Sequence, residues 1–336
     1  MARIGIRAAA ALLALAASGC GGSGGATPAE RHLVYVKQSD GPASVWIAHA
    51  DGSDPRRLAR GDAGVLSPDG RTVAVGRRAG IVLVPSGGGR ERKLTSRRLR
   101  PQAWSPDGEA LIATASTRHA VYQLVAIDRA SGRTRLLGRG SLYGFSFSPN
   151  GKDLVYSRAP EATYEGICGD QFDLYVTSLS GRKQQRLTHD GLSAFPAWGP
   201  SRIAYSHFPA TMSEQDCAAP GVWTIAADGS DRRPVIARAP DSITLAGYYG
   251  FAALAWLDDE RVLVGLRTDS GTEGAVLNTE TRELRRLGDY ADTVSSDHRF
   301  SVGSGGDQAQ IVSVLRLGDA HRVLLRKNAC CPSWNR

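Results

Sequence analysis

The sequence predicts an all-β protein, a β-propeller of four-stranded antiparallel blades, and three observations lead to this fold class. First, the phrase Trp104-Ser105-Pro106-Asp107-Gly108 returns at Leu66–Gly70 and Phe147–Gly151, each time before an apolar run. Pro fixes φ and Gly accepts a positive φ, so the phrase predicts a tight turn between two strands. Second, the repeats hold four short β runs over about forty residues, as propeller blades do. Third, no window shows the 3.6-residue periodicity of helical repeats.

Composition agrees with a folded protein that has many turns. Hydrophobic residues make up 42% of the chain and charged residues 22%, as in globular proteins. The 39 glycines and 16 prolines therefore indicate turns between short strands and not disorder.

Residues 1–19 have the pattern of a signal peptide. Arg3 and Arg7 form a basic segment, the apolar run Ala8–Ala17 follows, and small residues precede Cys20. The run is too short to span a bilayer as a mature helix. Its ending resembles the bacterial lipoprotein signal, which implies cleavage before Cys20 and acylation of its thiol. We therefore expect an extracytoplasmic protein anchored to the cell membrane by a lipid; an ordinary secretory signal and a secreted protein are the alternative.

The mature chain divides into a linker and one domain. Residues 20–31 are rich in Gly and Ser, which predicts a flexible linker after the acylated cysteine. Residues 32–336 carry the repeats and are predicted to form a single propeller domain, since each repeat packs mainly on its neighbours.

The repeats share more than the turn phrase. A second β run ends in a polar turn, and a basic segment with Arg before Leu follows; the turn A-D-G-S-D at Ala50–Asp54 recurs at Ala227–Asp231, which indicates duplication. We call the first residue of each turn phrase, such as Trp104, its anchor; weaker copies of the phrase have their anchors at Trp198, Trp256 and Val294. This combination resembles the TolB-like, WD-repeat-like (Pro-Asp repeat) propeller family over residues 32–336.

The two ends of the domain are predicted to complete one blade. Cys331-Pro332-Ser333-Trp334 repeats the approach to an anchor seen at Phe195–Trp198, yet no strand follows it. Leu33–Lys37 resembles the post-anchor strand Leu154–Arg158 but has no anchor before it. Joining these ends would close the ring and remove open strand edges. Counting Trp334, there are seven anchors and so seven blades; six blades, commoner in TolB-like propellers, are the alternative.

Two long insertions follow the post-anchor strands of successive repeats and are the candidate binding loops. They run from Ala159 to Phe172 and from Phe208 to Pro220. The candidate residues in them are Tyr164, Glu165, Asp170, Glu214 and Asp216. Cys168 and Cys217 occupy one level of neighbouring blades, so we expect a disulfide between them. It would rigidify a binding-loop pair, or it would only stabilise two long loops.

Other residues allow two interpretations each. Tyr248, Tyr249 and Phe251 could form an aromatic contact surface, although packing between blades is the simpler interpretation. Cys330 and Cys331 could form a vicinal disulfide, or one could remain a buried thiol.

Charge and histidine patterns exclude some functions. The formal net charge of +8 falls to +6 once Arg3 and Arg7 are removed, and much of it lies in the repeated Arg before Leu. Charged outer strands prevent edge pairing, so we expect no nucleic-acid partner. The seven histidines lack the spacing of metal ligands, and D-G-S-D turns lack the ligand count of a calcium loop. We therefore expect no metal and no cofactor.

The sequence thus predicts a monomeric, lipid-anchored propeller that binds an envelope protein or a cell-wall or periplasmic polymer without catalysis. One alternative is a propeller lyase or hydrolase with its site at the channel mouth, using Asp170 or Asp216 as acid or base. A sensor of a small ligand or metal is another.

Overall fold

The computed structural model describes residues 32–37, 41–50, 52–116, 122–159, 171–210, 220–244, 248–268, 271–291, 293–294, 300–305, 311–317, 321–327 and 329–334. The signal peptide, Cys20 and the linker lie outside this part of the chain. In the described part, no helix has the length and apolar character that crossing a bilayer requires.

The described residues form strands and one short helix. In chain order these are β1 His32–Lys37, β2 Ser44–His49, β3 Arg56–Arg60, β4 Ala63–Leu66, β5 Thr72–Arg77, β6 Gly80–Pro85, β7 Arg92–Thr95, β8 Arg100–Trp104, β9 Ala110–Ser116, β10 Tyr122–Asp128, β11 Thr134–Phe147, β12 Asp153–Ala159, β13 Asp173–Ser178, β14 Gln184–Arg186, β15 Ser193–Trp198, β16 Ile203–His207, β17 Pro220–Ile225, β18 Arg233–Arg238, α1 Asp241–Thr244, β19 Tyr248–Trp256, β20 Arg261–Thr268, β21 Gly271–Asn278, β22 Leu284–Tyr290, β23 Thr293–Val294, β24 Phe300–Gly305, β25 Ile311–Arg316, β26 His321–Lys327 and β27 Ala329–Trp334.

The strands pair antiparallel in sets of four. Three sheets have the orders β27-β1-β2-β3, β4-β5-β6-β7 and β15-β16-β17-β18. The seven-stranded sheet β8 to β14 consists of two sets that share the long strand β11, which pairs with β10 through Thr134–Gly140 and with β12 through Ser141–Phe147. In the last sheet, β19 to β22 and β23 to β26 are joined by one pair, Gly271 with Gly305. The predicted all-β class is confirmed.

In each antiparallel set, the connections between strands lie at the two opposite ends of the strands. The connections from the first strand to the second, and from the third to the fourth, lie at one end, which we call the turn end. The connections from the second strand to the third, and the links between successive sets, lie at the other end, which we call the loop end.

The turn phrase forms the predicted hairpin turn at the turn end. The backbone N–H of Ser105 donates to the carbonyl of Ala110 at 2.7 Å, and the N–H of Gly108 donates to the carbonyl of Ser105 at 2.8 Å. Gly108 has φ of +73°, a conformation that glycine adopts without strain. The Ser105 hydroxyl also accepts from the Ala110 N–H at 2.9 Å. The copies that begin at Ser67 and Ser148 make the same bonds, so the phrase has a structural role.

The tryptophans of the anchors connect successive first strands. The indole N–H of Trp104 donates to the carbonyl of Val65 in β4 at 3.1 Å. The indole N–H of Trp256 donates to the carbonyl of Ala197 in β15 at 3.0 Å. Both tryptophans are buried, so each anchor contributes apolar contact and one directed bond to the preceding set.

The apolar core lies between the faces of successive sets. One cluster joins Val34 and Val45 of the first sheet to Val73 and Val75 of the next, and further clusters repeat the arrangement along the chain. Strands such as β5 are buried on both faces, so they carry continuous apolar runs such as Val73–Val75 and do not alternate apolar with polar residues.

The first and last described strands share one sheet. Leu33 pairs with Trp334 and Val34 with Ser333, and a bulge separates these pairs from Val36 with Cys330. In β15 the equivalent residues Trp198 and Ala197 pair with β16 around a similar bulge. The predicted pairing of the two ends is therefore found. The side chains of Cys330 and Cys331 lie outside the described part of the structure, so both interpretations of this pair stay predictions.

Candidate functional site

The predicted site residues fall largely outside the described structure. Tyr164, Glu165, Cys168 and Asp170 lie in residues 160–170, and Glu214, Asp216 and Cys217 lie in residues 211–219, which are not described. The backbone of Tyr248 pairs with Thr268 in the sheet, and nothing is described of the Tyr248 and Tyr249 side chains. Phe251 is fully buried (0% exposed), so for this residue packing between sheets is the correct interpretation.

The residues that flank both insertions meet at the loop end. The backbone N–H of Phe172 donates to the carbonyl of Gly191 at 2.9 Å, and the N–H of Phe208 donates to the carbonyl of Leu192 at 2.8 Å. Ala159, Phe172, Ala194 and Phe208 form one buried apolar cluster. The two insertions therefore begin from one platform, which consists of Phe172, Leu192 and Phe208.

A buried carboxylate holds the base of the first insertion. The Asp173 side chain is 3% exposed and accepts a hydrogen bond from the Arg186 guanidinium at 2.5 Å. It also accepts from the Thr188 hydroxyl at 3.0 Å and from the Gly191 N–H at 3.2 Å. These bonds fix the segment from β14 to β15 against the start of β13. The buried Asp173 carboxylate requires hydrogen-bond donors, and this segment supplies them.

A second polar cluster lies at the base of the second insertion. Asp190 accepts from the Nε2 atom of His207 at 3.2 Å and forms an ion pair with Arg232. Burial alone would raise the pKa of Asp190, but the bonds from His207, Arg232 and the Leu192 backbone hold it below its usual range. Arg232 also donates to the Tyr205 hydroxyl at 2.6 Å, and burial raises the pKa of Tyr205 to about 12. Asp190 is therefore an ionised structural carboxylate at neutral pH.

Basic side chains recur at the loop end of the second strands. Lys37, Arg77, Arg158 and His207 each lie four residues beyond the residue that pairs with the anchor position. Three of them contact an aromatic ring of the third strand: Lys37 lies 5.4 Å from the Trp46 centroid, Arg158 5.2 Å from that of Tyr175, and His207 4.3 Å from that of Trp223. These are the repeat-type basic residues, and they serve packing within their own sheet.

Arg267 departs from this pattern by one residue. It lies five residues beyond Val262, the partner of Trp256, on a strand that pairs with β21 without a register shift. Its guanidinium lies 4.9 Å from the ring centroid of Phe195 in β15. Phe195 and Tyr143 of β11 pack edge to face, with centroids 5.9 Å apart, and Tyr143 packs in the same way on Phe172 at 4.8 Å. Three sets of strands thus converge on Arg267 beside the platform.

A cleft opens beside this aromatic group, between the β8–β11 and β11–β14 sets. Its volume is about 350 Å³. Its apolar and aromatic walls come from Tyr122, Leu124, Leu142, Phe145 and Tyr156. Gln102 and Thr114 supply polar groups, and the Gln102 amide donates to the Thr114 hydroxyl at 2.9 Å. Ligand sites in proteins commonly have this apolar lining with few polar groups.

A smaller pocket of about 220 Å³ lies at the turn end, and its charges are largely paired. Arg202 forms an ion pair with Asp231 at 2.5 Å, and Arg233 lies 3.9 Å from Glu280. Within the described residues, no three His, Cys, Asp or Glu side chains form a group that could hold a metal ion. The loop end is therefore the better candidate site.

Comparisons with known proteins identify the fold. No protein-family model matches the chain, and no curated protein does. Among solved structures, the β-propeller domain of the trilobed protease from Pyrococcus furiosus has a TM-score of 0.57 at 13% identity, over 89% of this chain and 93% of that one. TolB from Acinetobacter baumannii has a TM-score of 0.54 at 13% identity, over 90% and 82%. The fold is a TolB-like β-propeller.

The same propeller fold occurs in an enzyme of similar length. Oligogalacturonate lyase in complex with manganese has a TM-score of 0.58 at 15% identity, over 90% of this chain and 86% of that one. At such identities the likeness shows the fold alone, and function must be argued from the site.

His207 is held by Asp190 and packs on Trp223, and no Ser, Thr or Cys side chain in the described residues hydrogen-bonds to it. Sequence reasoning missed Arg267, Phe195 and Tyr143. One signal was available: an arginine that ends an apolar second strand one position later than its counterparts in other repeats.

Proposed function

We propose that the chain is an extracytoplasmic, lipid-anchored propeller that binds another envelope protein at its loop end without chemical turnover. One observation supports this most: a cleft of about 350 Å³ with apolar and aromatic walls opens beside the platform from which both insertions begin. The cleft volume is at the low end for ligand sites and fits one or two amino-acid side chains. The alternative partner, a cell-wall or periplasmic polymer, is an outcome of the test below.

The test places a photo-crosslinking amino acid in the cleft. Tyr122 lines the cleft and is 37% exposed, whereas Leu136, on the outer part of β11, is 54% exposed and does not line it. In living cells we expect a discrete adduct from the Tyr122 position and none from Leu136, which is the matched control. Peptides of a second protein in the digested adduct identify a protein partner, and a return of the adduct to the mass of the free propeller after glycan digestion identifies a polymer. No adduct, or equal adducts from both positions, would refute binding in the cleft.

The lipid anchor and the disulfide between the two insertions belong to the same proposal. Acylated Cys20 would hold the propeller at the membrane; Cys20→Ser should abolish labelling by fatty acid and release the protein, and unchanged labelling would contradict the proposal. A disulfide between Cys168 and Cys217 would join the two insertions above the platform. Peptide mapping under non-reducing conditions should recover the two cysteines in one linked peptide.

We further propose seven blades, with the ring closed by β27 and β1 in one blade. Two observations support this: the strands group in fours, and β27 contacts β4, β4 contacts β8, β15 contacts β19, and β23 contacts both β19 and β27. Six blades are the alternative. A crystal structure of the mature domain would decide between them.

A propeller lyase or hydrolase is the second candidate function. It is favoured by the Asp190–His207 pair, which resembles the orienting part of an acid–base site, and by the lyase that shares the fold. Asp170 or Asp216 would then act as acid or base. Turnover of acidic oligosaccharides or peptides by the purified protein, abolished in His207→Ala, would establish this function and overturn the first. A small-ligand or metal sensor is a third candidate, which thermal-shift screening would test.

A further inference from the structure

Arg267 differs from the other basic residues at the loop end in the face of the sheet it occupies. The repeat-type basic residues lie at an even offset from the anchor partner, and Arg267 lies at an odd offset. Because side chains alternate between the faces of a strand, Arg267 projects from the opposite face. It therefore cannot make the repeat-type contact with an aromatic ring of its own third strand, and its guanidinium instead reaches Phe195 of the preceding set.

Arg267 also lacks a counter-charge among the described residues. Arg77, Arg186, Arg202 and Arg286 form ion pairs with carboxylates of their own or a neighbouring strand or turn. The described interactions of Arg267 are with the Phe195 ring and the nearby Tyr143 phenol. Burial lowers the pKa of Arg267, an effect that Tyr143 partly opposes, yet a guanidinium stays protonated at neutral pH. Within the part of the chain that the structure describes, Arg267 is thus a half-buried cation without an anion, an arrangement that is unfavourable by itself.

The aromatic residue that contacts the guanidinium lies in a constrained part of the backbone, close to the cleft. Phe195 has φ of +52°, a conformation that costs energy for a residue with a Cβ atom and lies within the bulge of β15. Gly144 is exposed between the cleft and Tyr143, and a Cβ there would lie 3.2 Å from the Cα atom of Phe195. Because Leu142 and Gly144 line the cleft while Tyr143 packs on Phe195, the cleft and Arg267 lie on opposite sides of β11 at the loop end.

We propose that Arg267 is the carboxylate-binding residue of the loop-end site, held in place by the Phe195 ring on which Tyr143 packs, and that its ligand is a peptide whose apolar side chain enters the cleft. A planar guanidinium fork matches a carboxylate in two parallel hydrogen bonds. One cation suits a monoanion better than a phosphate, which proteins usually bind with several donors. This inference rests on the proposed function and adds the chemistry that the partner must present.

Four blocked tripeptides test the proposal on the full chain in detergent, by calorimetry. The probes are phenylalanyl-alanyl-glutamate amide, its glutamine counterpart, and phenylalanyl-alanyl-alanine with a free or an amidated C-terminus. We expect one or both acids to bind at least about tenfold more tightly than the matched neutral peptide. Which acid shows the preference distinguishes a side-chain carboxylate from a C-terminal one. The absence of any preference, or stronger competition by inorganic phosphate than by acetate, would overturn the proposal.

Variants separate a binding role from a structural one. Arg267→Gln should abolish the preference for acids, and Arg267→Lys should keep part of it. Arg261→Gln, at the opposite end of the same strand, should leave it unchanged, because Arg261 pairs with Asp258. A preference that persists in Arg267→Gln would refute the assignment. If the adduct from the Tyr122 position survives in Arg267→Gln without any acid preference in the wild type, this inference fails while the proposed function stands.

The melting temperature of an Arg267 variant also separates the two roles. Replacing an arginine with a purely structural role would lower it. Arg267→Met removes a cation that has no carboxylate partner among the described residues and keeps apolar contact with Phe195, so the melting temperature of the free protein should rise. A marked fall would mean that Arg267 pairs with a carboxylate of the chain itself, and the proposal would be wrong.

Discussion

The two ends of the propeller differ in how their polar groups are satisfied. At the turn end, serine side chains close the hairpins of the three full turn phrases. Arginines there pair with nearby carboxylates, as Arg202 does with Asp231 and Arg261 with Asp258. At the loop end, Asp173 and Asp190 are enclosed in networks, and Arg267 has no carboxylate within the described residues. The repeated turn phrase thus satisfies its own polar groups at the turn end, whereas the loop end carries charged side chains that depart from the repeat.

This difference separates stability from function. Substitutions at the turn end should lower the free energy of unfolding and leave ligand binding intact in the folded fraction. Substitutions at Arg267 should do the reverse. Natural binding sites commonly hold such unfavourable groups because the ligand supplies the partner that the free protein lacks.

The largest expected effect is that of Trp256→Ala at the turn end. The side chain is buried, and its indole N–H donates to Ala197. Removing it should cost about 3–5 kcal/mol, because a large cavity forms and a buried carbonyl loses its donor. Urea unfolding followed by circular dichroism measures the cost. Trp256→Phe, which keeps most of the apolar contact, should cost less; equal costs, or a loss under about 1 kcal/mol, would contradict the anchor role.

The anchor could be predicted from sequence because it repeats. Trp104-Ser105-Pro106-Asp107-Gly108 determines its turn by local chemistry, since Pro, Asp and Gly act on their own backbone. The pairing of Leu33 with Trp334 could also be predicted, because each end lacked what the other carried. At Gly199 the phrase has lost Ser for a non-local reason: a Cβ there would lie 2.5 Å from Trp256.

The second effect in size concerns Asp173 at the loop end. Asp173→Ala would leave Arg186, Thr188 and the Gly191 N–H without their acceptor. We expect a loss of about 2–3 kcal/mol, moderated because Arg186 can reach water. Glu280→Ala, which removes a carboxylate from an exposed pair with Arg233, is the control and should cost under about 1 kcal/mol. Similar losses in both variants would mean that burial of the Asp173 network adds nothing to the free energy of unfolding.

A third effect depends on pH and concerns Asp190. Its pKa is lower in the folded protein than in the unfolded chain, because His207 and Arg232 bind the ionised form. The stability it contributes is therefore complete above about pH 4, the usual value for Asp, and is lost as pH falls further. Between pH 5 and pH 2, unfolding midpoints should fall more steeply for the wild type than for Asp190→Asn. Parallel curves would show that Asp190 is not bound in its ionised form.

The loop-end site could be predicted only in part. The insertions stand out because they interrupt the repeat, and the structure brings their flanks together at Phe172 and Phe208. Arg267 was missed because one basic residue at a strand end resembles its counterparts in sequence. Its different role follows from a single-residue offset, which changes the face of the sheet, and from its contact with Phe195 far along the chain.

The smallest expected effect makes the comparison most specific, because it uses two arginines of one strand. Arg261 and Asp258 form an exposed pair at 2.6 Å at the turn end of β20. Arg261→Gln should lower the free energy of unfolding by about 0.5 kcal/mol or less, since exposed pairs gain little over hydration. Arg267→Gln, at the loop end, should leave that free energy unchanged or raise it. Both are measured by urea unfolding at low and high salt. If both substitutions destabilise the protein equally, the two ends of the strand do not differ, and the assignment of binding to the loop end loses its physical basis.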